Sequence, residues 1–298
     1  MTKTPVVFIV FNRPEMTRKV FERIRQARPS QLLVVADGPR PEFPDDVVNC
    51  RDVRAIIESV DWHCEVTGNY ADNNMGCRRR VSSGLDWVFN NVDEAIILED
   101  DSLPHPTFFR FCEEMLDRFR DDRRIMHIGG TNYQFGLRRT KSSYYYSRYN
   151  PVPGWASWRR AWNYYDVNMR MWPEISQGGW LYDILGNKRS TIYWQNMFRK
   201  TFAGEINTWD YQWTFACWLQ NGLSVIPNTN LISNIGYSNE ATHTKDTDSK
   251  YANMPVEEMH FPLVHPNFMI RNELADRYSQ LNQFKCGFLS SIRHLICQ

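Results

Sequence analysis

Ala95-Ile-Ile-Leu98 is a short, uninterrupted apolar run that passes straight into Glu99-Asp100-Asp101. Such a run suits a strand covered by helices on both faces, as in a parallel α/β sheet. The acids that follow it then stand past a strand's C-terminal end, where open α/β sheets place their ligands. Adjacent carboxylates repel and raise one another's pKa, and a divalent cation relieves that repulsion. Mg²⁺ and Mn²⁺ are typically held by one or two carboxylates together with the oxygens of a substrate diphosphate. Taken alone, the triplet reads equally well as a solvated turn or a helix cap, with Asp101-Ser102 leading into Leu103-Pro104.

Upstream, the chain repeats a strand-helix rhythm. Val6 to Phe11 is apolar and predicts a central parallel strand, and Asn12-Arg-Pro-Glu15 breaks it. Met16, Val20, Phe21 and Ile24 recur at the spacing of one helical face. Leu32 to Ala36 predicts a second strand ending at Asp37-Gly38, followed by a helix carrying Val53, Ile56, Ile57 and Val60. Trp62 to Val66 predicts a third strand, Asn73 to Gly76 a turn, and Arg79 to Asn90 a helix. Beyond the triplet a helix is expected over Phe108 to Arg120 and a strand over Ile125 to Ile128. The polar and aromatic stretches Tyr144 to Trp162 and Trp194 to Trp218 then lose the repetition.

Composition removes several classes of function. The chain has 298 residues, and 35 Lys and Arg against 34 Asp and Glu leave a net charge of +1, no field for nucleic acid. Aromatic residues form 14% of the chain, enough to supply sugar-stacking faces as well as a core. The odd, scattered cysteines Cys50, Cys64, Cys77, Cys112, Cys217, Cys286 and Cys297 show no CxxC pairing and read as reduced thiols of a cytoplasmic protein. A strand begins almost at Met1, leaving no room for a signal peptide, and no apolar run reaches the length of a membrane span. No Walker A pattern, GxGxxG, nucleophile elbow or HExxH is present.

Leu98-Glu99-Asp100-Asp101 with Phe108-Phe109 downstream resembles the acidic metal motif of GT-A glycosyltransferases. Its Glu-Asp-Asp form is similar to that of the inverting N-acetylglucosaminyltransferase I and O-mannose N-acetylglucosaminyltransferase family. The resemblance continues in order through Phe11-Asn-Arg-Pro14, Asp37-Gly38, Pro153-Gly-Trp155 and Trp209-Asp210 with Trp213, about two-thirds of the chain. It implies a nucleotide-diphosphate sugar as co-substrate, UDP-sugar being favoured, and Mn²⁺ or Mg²⁺ as cofactor. By it, Asp101 is the metal ligand, Asp100 the ribose contact and Glu99 a donor-sugar contact. Arg13 meets the diphosphate or base region and Asp37 accepts from the base's imide N–H. Gly154 permits close approach of the backbone to the donor sugar and Trp155 stacks on it. Asp210 is the base that deprotonates the acceptor hydroxyl, although as a helix N-cap it has an ordinary structural reading too. Ser233 to Gly236 and Ala241 to Thr244 resemble a loop that closes over the diphosphate, with His243 as a second metal ligand or a donor to phosphate.

These readings predict one GT-A-like α/β domain over 1–298, its mixed, mainly parallel sheet flanked by helices. About 1–130 forms a nucleotide-sugar half, about 131–280 an acceptor side for a glycan, lipid-linked sugar or other hydroxyl, and about 281–298 an amphipathic tail. The tail, with Phe288, Leu289 and Ile292 beside Lys285 and Arg293, suits packing on its own domain or peripheral contact with the inner face of a membrane. A sugar nucleotidyltransferase and a non-catalytic glycan-binding protein are the rival readings, and a retaining outcome stays open beside the inverting one.

Overall fold

Strand β1 (Val6–Val10) is buried along its whole length and pairs in parallel with a neighbour on each side, the position its continuous apolar run predicts. The computed structural model of the chain describes residues 2–237 and 249–284. Pro14 opens α1 (Pro14–Ala27) at a position where the missing N–H goes unused. Then come β2 (Gln31–Ala36), α2 (Asp45–Glu58), β3 (Glu65–Tyr70), α3 (Gly76–Asn91) and β4 (Glu94–Glu99). The chain continues through β5 (Ser102–Pro104), α4 (Thr107–Arg118), β6 (Ile125–Gly129), β7 (Tyr144–Ser147) and β8 (Trp155–Trp158). The aromatic stretches fold into α5 (Arg159–Trp162), α6 (Trp172–Gly178), α7 (Trp180–Leu185), α8 (Lys188–Phe202) and α9 (Asp210–Leu219). Last come β9 (Leu223–Pro227), β10 (Ile232–Asn234) and α10 (Glu273–Gln283).

Among the described residues the main sheet has eight strands in the order β3-β2-β1-β4-β8-β6-β9-β7. The first four run parallel; β8 inserts antiparallel between β4 and β6, β6 and β9 resume the original direction, and β7 closes the edge antiparallel. A small ribbon of β5 and β10 forms directly after the acidic triplet, and the turn at Asp100 and Asp101 that leads into it is not the solvated one of the first reading, since Asp100 is buried.

Period-two alternation divides the core between the two faces of the sheet. Val6, Phe8, Val10, Ile96 and Leu98 pack with residues of α1, α2 and α4. Val7, Ile9, Ala95 and Ile97 pack on the other face with α3 and the Trp-rich helices α5 to α9.

The third strand forms at Glu65–Tyr70, not at Trp62 to Val66 as the sequence predicts. Trp62 is drawn against α1, its ring 5.8 Å from Phe21, and its indole N–H donates to the Pro29 carbonyl at 2.9 Å. The strand itself is a mostly exposed edge, so it carries no apolar run to mark it.

Helix α3 lies close on β2 because Gly84 has no side chain: a Cβ there would run into the methyl groups of Val35. This contact sets the height of a helix whose first turn, with Gly76 and Cys77, lines the cavity described below. Gly84→Ala gains up to about 1 kcal/mol in helix propensity but overpacks a stiff β-branched neighbour at about 1–3 kcal/mol. A net loss is expected in chemical denaturation, and Val35→Ala in the same chain should recover part of it as a non-additive double mutant.

Candidate active site

Strands β1, β2 and β4 end at one edge of the sheet, and the residues that follow them line a cavity of about 740 Å³. Strand parity sends Asp100 to the side of Ile96 and Leu98, where α1 begins, and Glu99 to the side of Ala95 and Ile97, facing α3 and α9. Asp100 is buried and accepts from Arg13, whose Nε lies 3.3 Å from Oδ2 and whose Nη2 pairs with Oδ1. The Arg13 Nη1 lies 3.2 Å from Oδ2 of Asp101. The arginine expected to meet a diphosphate therefore stands as counter-ion to the triplet, held there by the N-terminus of α1.

Glu99 is the strained member. Burial, reinforced by Asp101 and Asp100, pushes its carboxyl up to about 8, Arg13 pulls the other way, and Asp210 adds to the rise. Burial also raises Asp100, against the pull of Arg13. Burial opposes the charge on Arg13, but Asp100 and then Asp101 outweigh it and hold the guanidinium above its ordinary value. Cys77, on the same wall, is pushed up by burial and then by Glu99 and Asp210, which keeps the thiol protonated and poorly nucleophilic.

Asp101 is cradled by backbone. The Ile235 amide donates to its carbonyl at 2.8 Å, and a Cβ on Gly236 would collide with its carboxylate. The segment Ser233 to Gly236 thus lies against the triplet. Among the described residues no three His, Cys, Asp or Glu side chains gather into a cage for a metal. One partly exposed carboxylate beside open cavity does fit Mg²⁺ or Mn²⁺, which take most of their oxygens from water and diphosphate. His243 lies outside the described residues, as does most of the C-terminal tail.

Asp37 is engaged by its own surroundings. Oδ1 accepts from the amides of Gly38 and Met75 at 2.9 and 2.8 Å, and Oδ2 from Asn74 Nδ2 and the Gly76 amide, both at 3.1 Å. Its carboxylate pins the Asn73 to Gly76 turn and the start of α3 to the end of β2, and no acceptor site is left over for a base. Asp210 opens α9; Oδ1 accepts from the Tyr211 amide at 2.9 Å and from the Thr208 hydroxyl, while Oδ2 takes no hydrogen bond among the described residues. Both Asp210 and the triplet line the one cavity.

Two expected donor contacts lie elsewhere. Trp155 is fully buried in β8, ring-stacked between His127 at 5.2 Å and Trp209 at 5.6 Å, and presents no face to a sugar. Gly154 adopts φ +59°, and a Cβ there would meet Ile232 Cγ1 at 2.6 Å, so its smallness serves packing against β10. The reason is positional: β8 lies between β4 and β6, inside the sheet, where side chains face helices. His127 belongs to the same core; burial lowers its imidazole to about 3, and with Pro151 and Trp213 as partners it stays neutral.

Cys77, Asn150, Asn207 and Thr131 also line the cavity. Asn207 Oδ1 accepts from the Arg78 amide at 3.2 Å, tying the loop before α9 to the start of α3. None carries a sequence signal, since single polar residues in loops are brought together only by the fold. Arg80, in the Arg78-Arg-Arg80 run, is buried and donates to the Ala36 carbonyl at 3.1 Å and to Asn69, clamping the ends of β2 and β3.

Because the Glu99 carboxyl is raised above its ordinary value, the folded chain holds a proton that the unfolded chain releases near pH 4.5. The associated stability is complete at lower pH and is lost as pH rises through about 8. Without divalent cations, Glu99→Gln should melt several degrees above the parent at pH 9, and the gap should close toward pH 5, read by thermal denaturation across that range.

No protein-family model matches the chain, and no curated protein matches it. Solved structures do resemble it at low identity. Staphylococcus aureus TarS 1–349 aligns with TM-score 0.44 and 10% identity, over 77% of this chain and 59% of that one. UDP-glucose pyrophosphorylase complexed with UDP-glucose aligns with TM-score 0.36 and 9% identity, over 76% and 90%. The 4-diphosphocytidyl-2C-methyl-D-erythritol synthase of Anaerococcus prevotii aligns with TM-score 0.38 and 9% identity, over 75% and 88%.

Proposed function

We propose that the chain is a GT-A-type glycosyltransferase that moves a sugar from a nucleotide-diphosphate donor, UDP-sugar being favoured, to a hydroxyl acceptor with inversion. The observation that carries this reading is one cavity, at the C-terminal ends of parallel strands, that joins the Arg13-compensated triplet to a carboxylate at the start of a helix, Asp210. A nucleotidyltransferase would need a Gly-rich phosphate loop after the first strand, whereas here Asn12-Arg13 leads directly into α1.

Asp101 and, beyond the described residues, His243 are the groups that would hold Mn²⁺ or Mg²⁺. Bound there, the cation neutralises charge on the leaving diphosphate. Arg13 balances what remains of the triplet's charge. Asp100, anchored by Arg13, and Glu99, on the cavity wall, would accept hydroxyls of ribose and donor sugar. The Asp37 carboxylate acts through the loop it pins, whose backbone borders the base end of the cavity. The free oxygen of Asp210 takes the acceptor's proton as its hydroxyl attacks.

Calorimetric titration with UDP, GDP, dTDP and CDP, with and without Mn²⁺, tests the donor site. UDP should bind in a Mn²⁺-dependent way, and Asp101→Ala should weaken it by about tenfold or more, the loss of one charged ligand. Absence of binding by all four nucleotides refutes the reading. Asp210→Asn should keep UDP affinity and lower kcat about 100-fold or more, the usual contribution of a positioned base.

A further inference from the structure

Asn150 lies in the segment between β7 and β8, on the cavity wall, and is only 7% exposed. Both its amide nitrogen and its amide oxygen are buried with no hydrogen-bond partner among the described residues. Leaving two such atoms unpaired is costly, so an amide in this state is normally one that a ligand or water completes. Other described residues also carry buried unpartnered side-chain atoms, among them Trp155 and Gln212, but only Asn150 among them lines the cavity.

The cavity's charges are segregated. Its acidic and basic lining residues close β4, follow β1, β2 and β4, or lie near the starts of α3 and α9. The residues contributed by β7, by the segment carrying Asn150 and by α10 are neutral. Behind this half the packing is aromatic and closed: Tyr149 stacks on the buried Trp194 at 6.1 Å and Phe284 lies 5.2 Å from Tyr149, so the rings back the cavity with apolar surface and present no open stacking face. The neighbouring hydroxyls are already engaged: Ser147 donates to Asp276, Ser279 receives Gln134, and Tyr149 donates to Gln280. A charged half suits a metal diphosphate. A neutral half with one amide offering both a donor and an acceptor suits a sugar ring, whose adjacent hydroxyls supply the matching acceptor and donor.

We propose that Asn150 is the hydroxyl-reading residue of an acceptor subsite for an uncharged pyranose, in the half of the cavity walled by β7, the Asn150 segment and α10. The assignment of this subsite to the acceptor rests on the transferase reading above. The amide's two open positions bond a vicinal hydroxyl pair, and the neutral lining around it places no charge against the ring.

The test measures two affinities separately. Methyl glycosides of glucose, galactose, mannose and N-acetylglucosamine are titrated by saturation-transfer NMR and tryptophan fluorescence, and UDP with Mn²⁺ by calorimetry, for the parent, Asn150→Leu and Asn150→Ser. At least one glycoside should bind the parent and be weakened by about tenfold or more in both variants, the loss of two hydrogen bonds. UDP affinity should stay within about twofold, since the amide is assigned no donor contact. Asn150→Leu should melt at or above the parent temperature, because it removes an unsatisfied buried amide without opening a void. No glycoside binding in a parent that binds UDP, unchanged glycoside affinity in both variants, or loss of UDP affinity with glycoside binding intact would each overturn the assignment. If the parent binds no nucleotide but binds a glycoside through Asn150, the sugar subsite stands while the transferase reading falls.

Discussion

Three carboxylates at the end of a buried strand are unstable unless a cation stands beside them, and here that constraint is met by Arg13. The arrangement depends on the sheet order. Because β1 and β4 are parallel neighbours, the residues after β1 and the residues after β4 emerge side by side. Arg13 and Asp100, far apart in the chain, become partners for that reason. Compensation is incomplete, since strand parity turns Glu99 away from the guanidinium, and its carboxyl remains raised.

The rest of the cavity is built to hold that arrangement steady. Asp37 gathers the amides of Met75 and Gly76 and so fixes where α3 begins. Gly84 lets the same helix settle on β2, and Asn207 ties its first turn to the loop before Asp210. Opposite, the β5–β10 ribbon returns the chain to Asp101 and sets Gly236 against its carboxylate. These contacts are backbone and side-chain hydrogen bonds and close packing, which keep the charged groups in place. Charge is concentrated at one end of the cavity and the neutral wall lies at the other.

The aromatic richness of the chain divides in the same way. Trp155, Trp209 and Trp213 form a buried block under β8 and α9, with neutral His127 stacked into it. That block supports the helix on which Asp210 stands. Trp194 and Tyr149 stack on each other behind the neutral end of the cavity. Sequence gives every tryptophan the same appearance, and only position in the fold separates the two groups.

What the sequence by itself determined is the half built from local signals. The apolar runs of β1, β2 and β4, the helical spacing of Val20, Phe21 and Ile24, and the acids after Leu98 all report on neighbours within a few residues, because strands and helices are local periodicities. The placement of the triplet at a strand end followed from the same logic. Tertiary structure alone decided what depends on partners distant in sequence: that β8 enters the middle of the sheet and buries Trp155, that Asp37 is filled by a turn forty residues along in round terms, that the polar edge strand β3 begins at Glu65, and that Asn150 reaches the cavity with its amide unpaired. Sheet order and loop crossings bring such residues together through contacts that leave no trace in local periodicity, and that is the physical reason they were not legible beforehand.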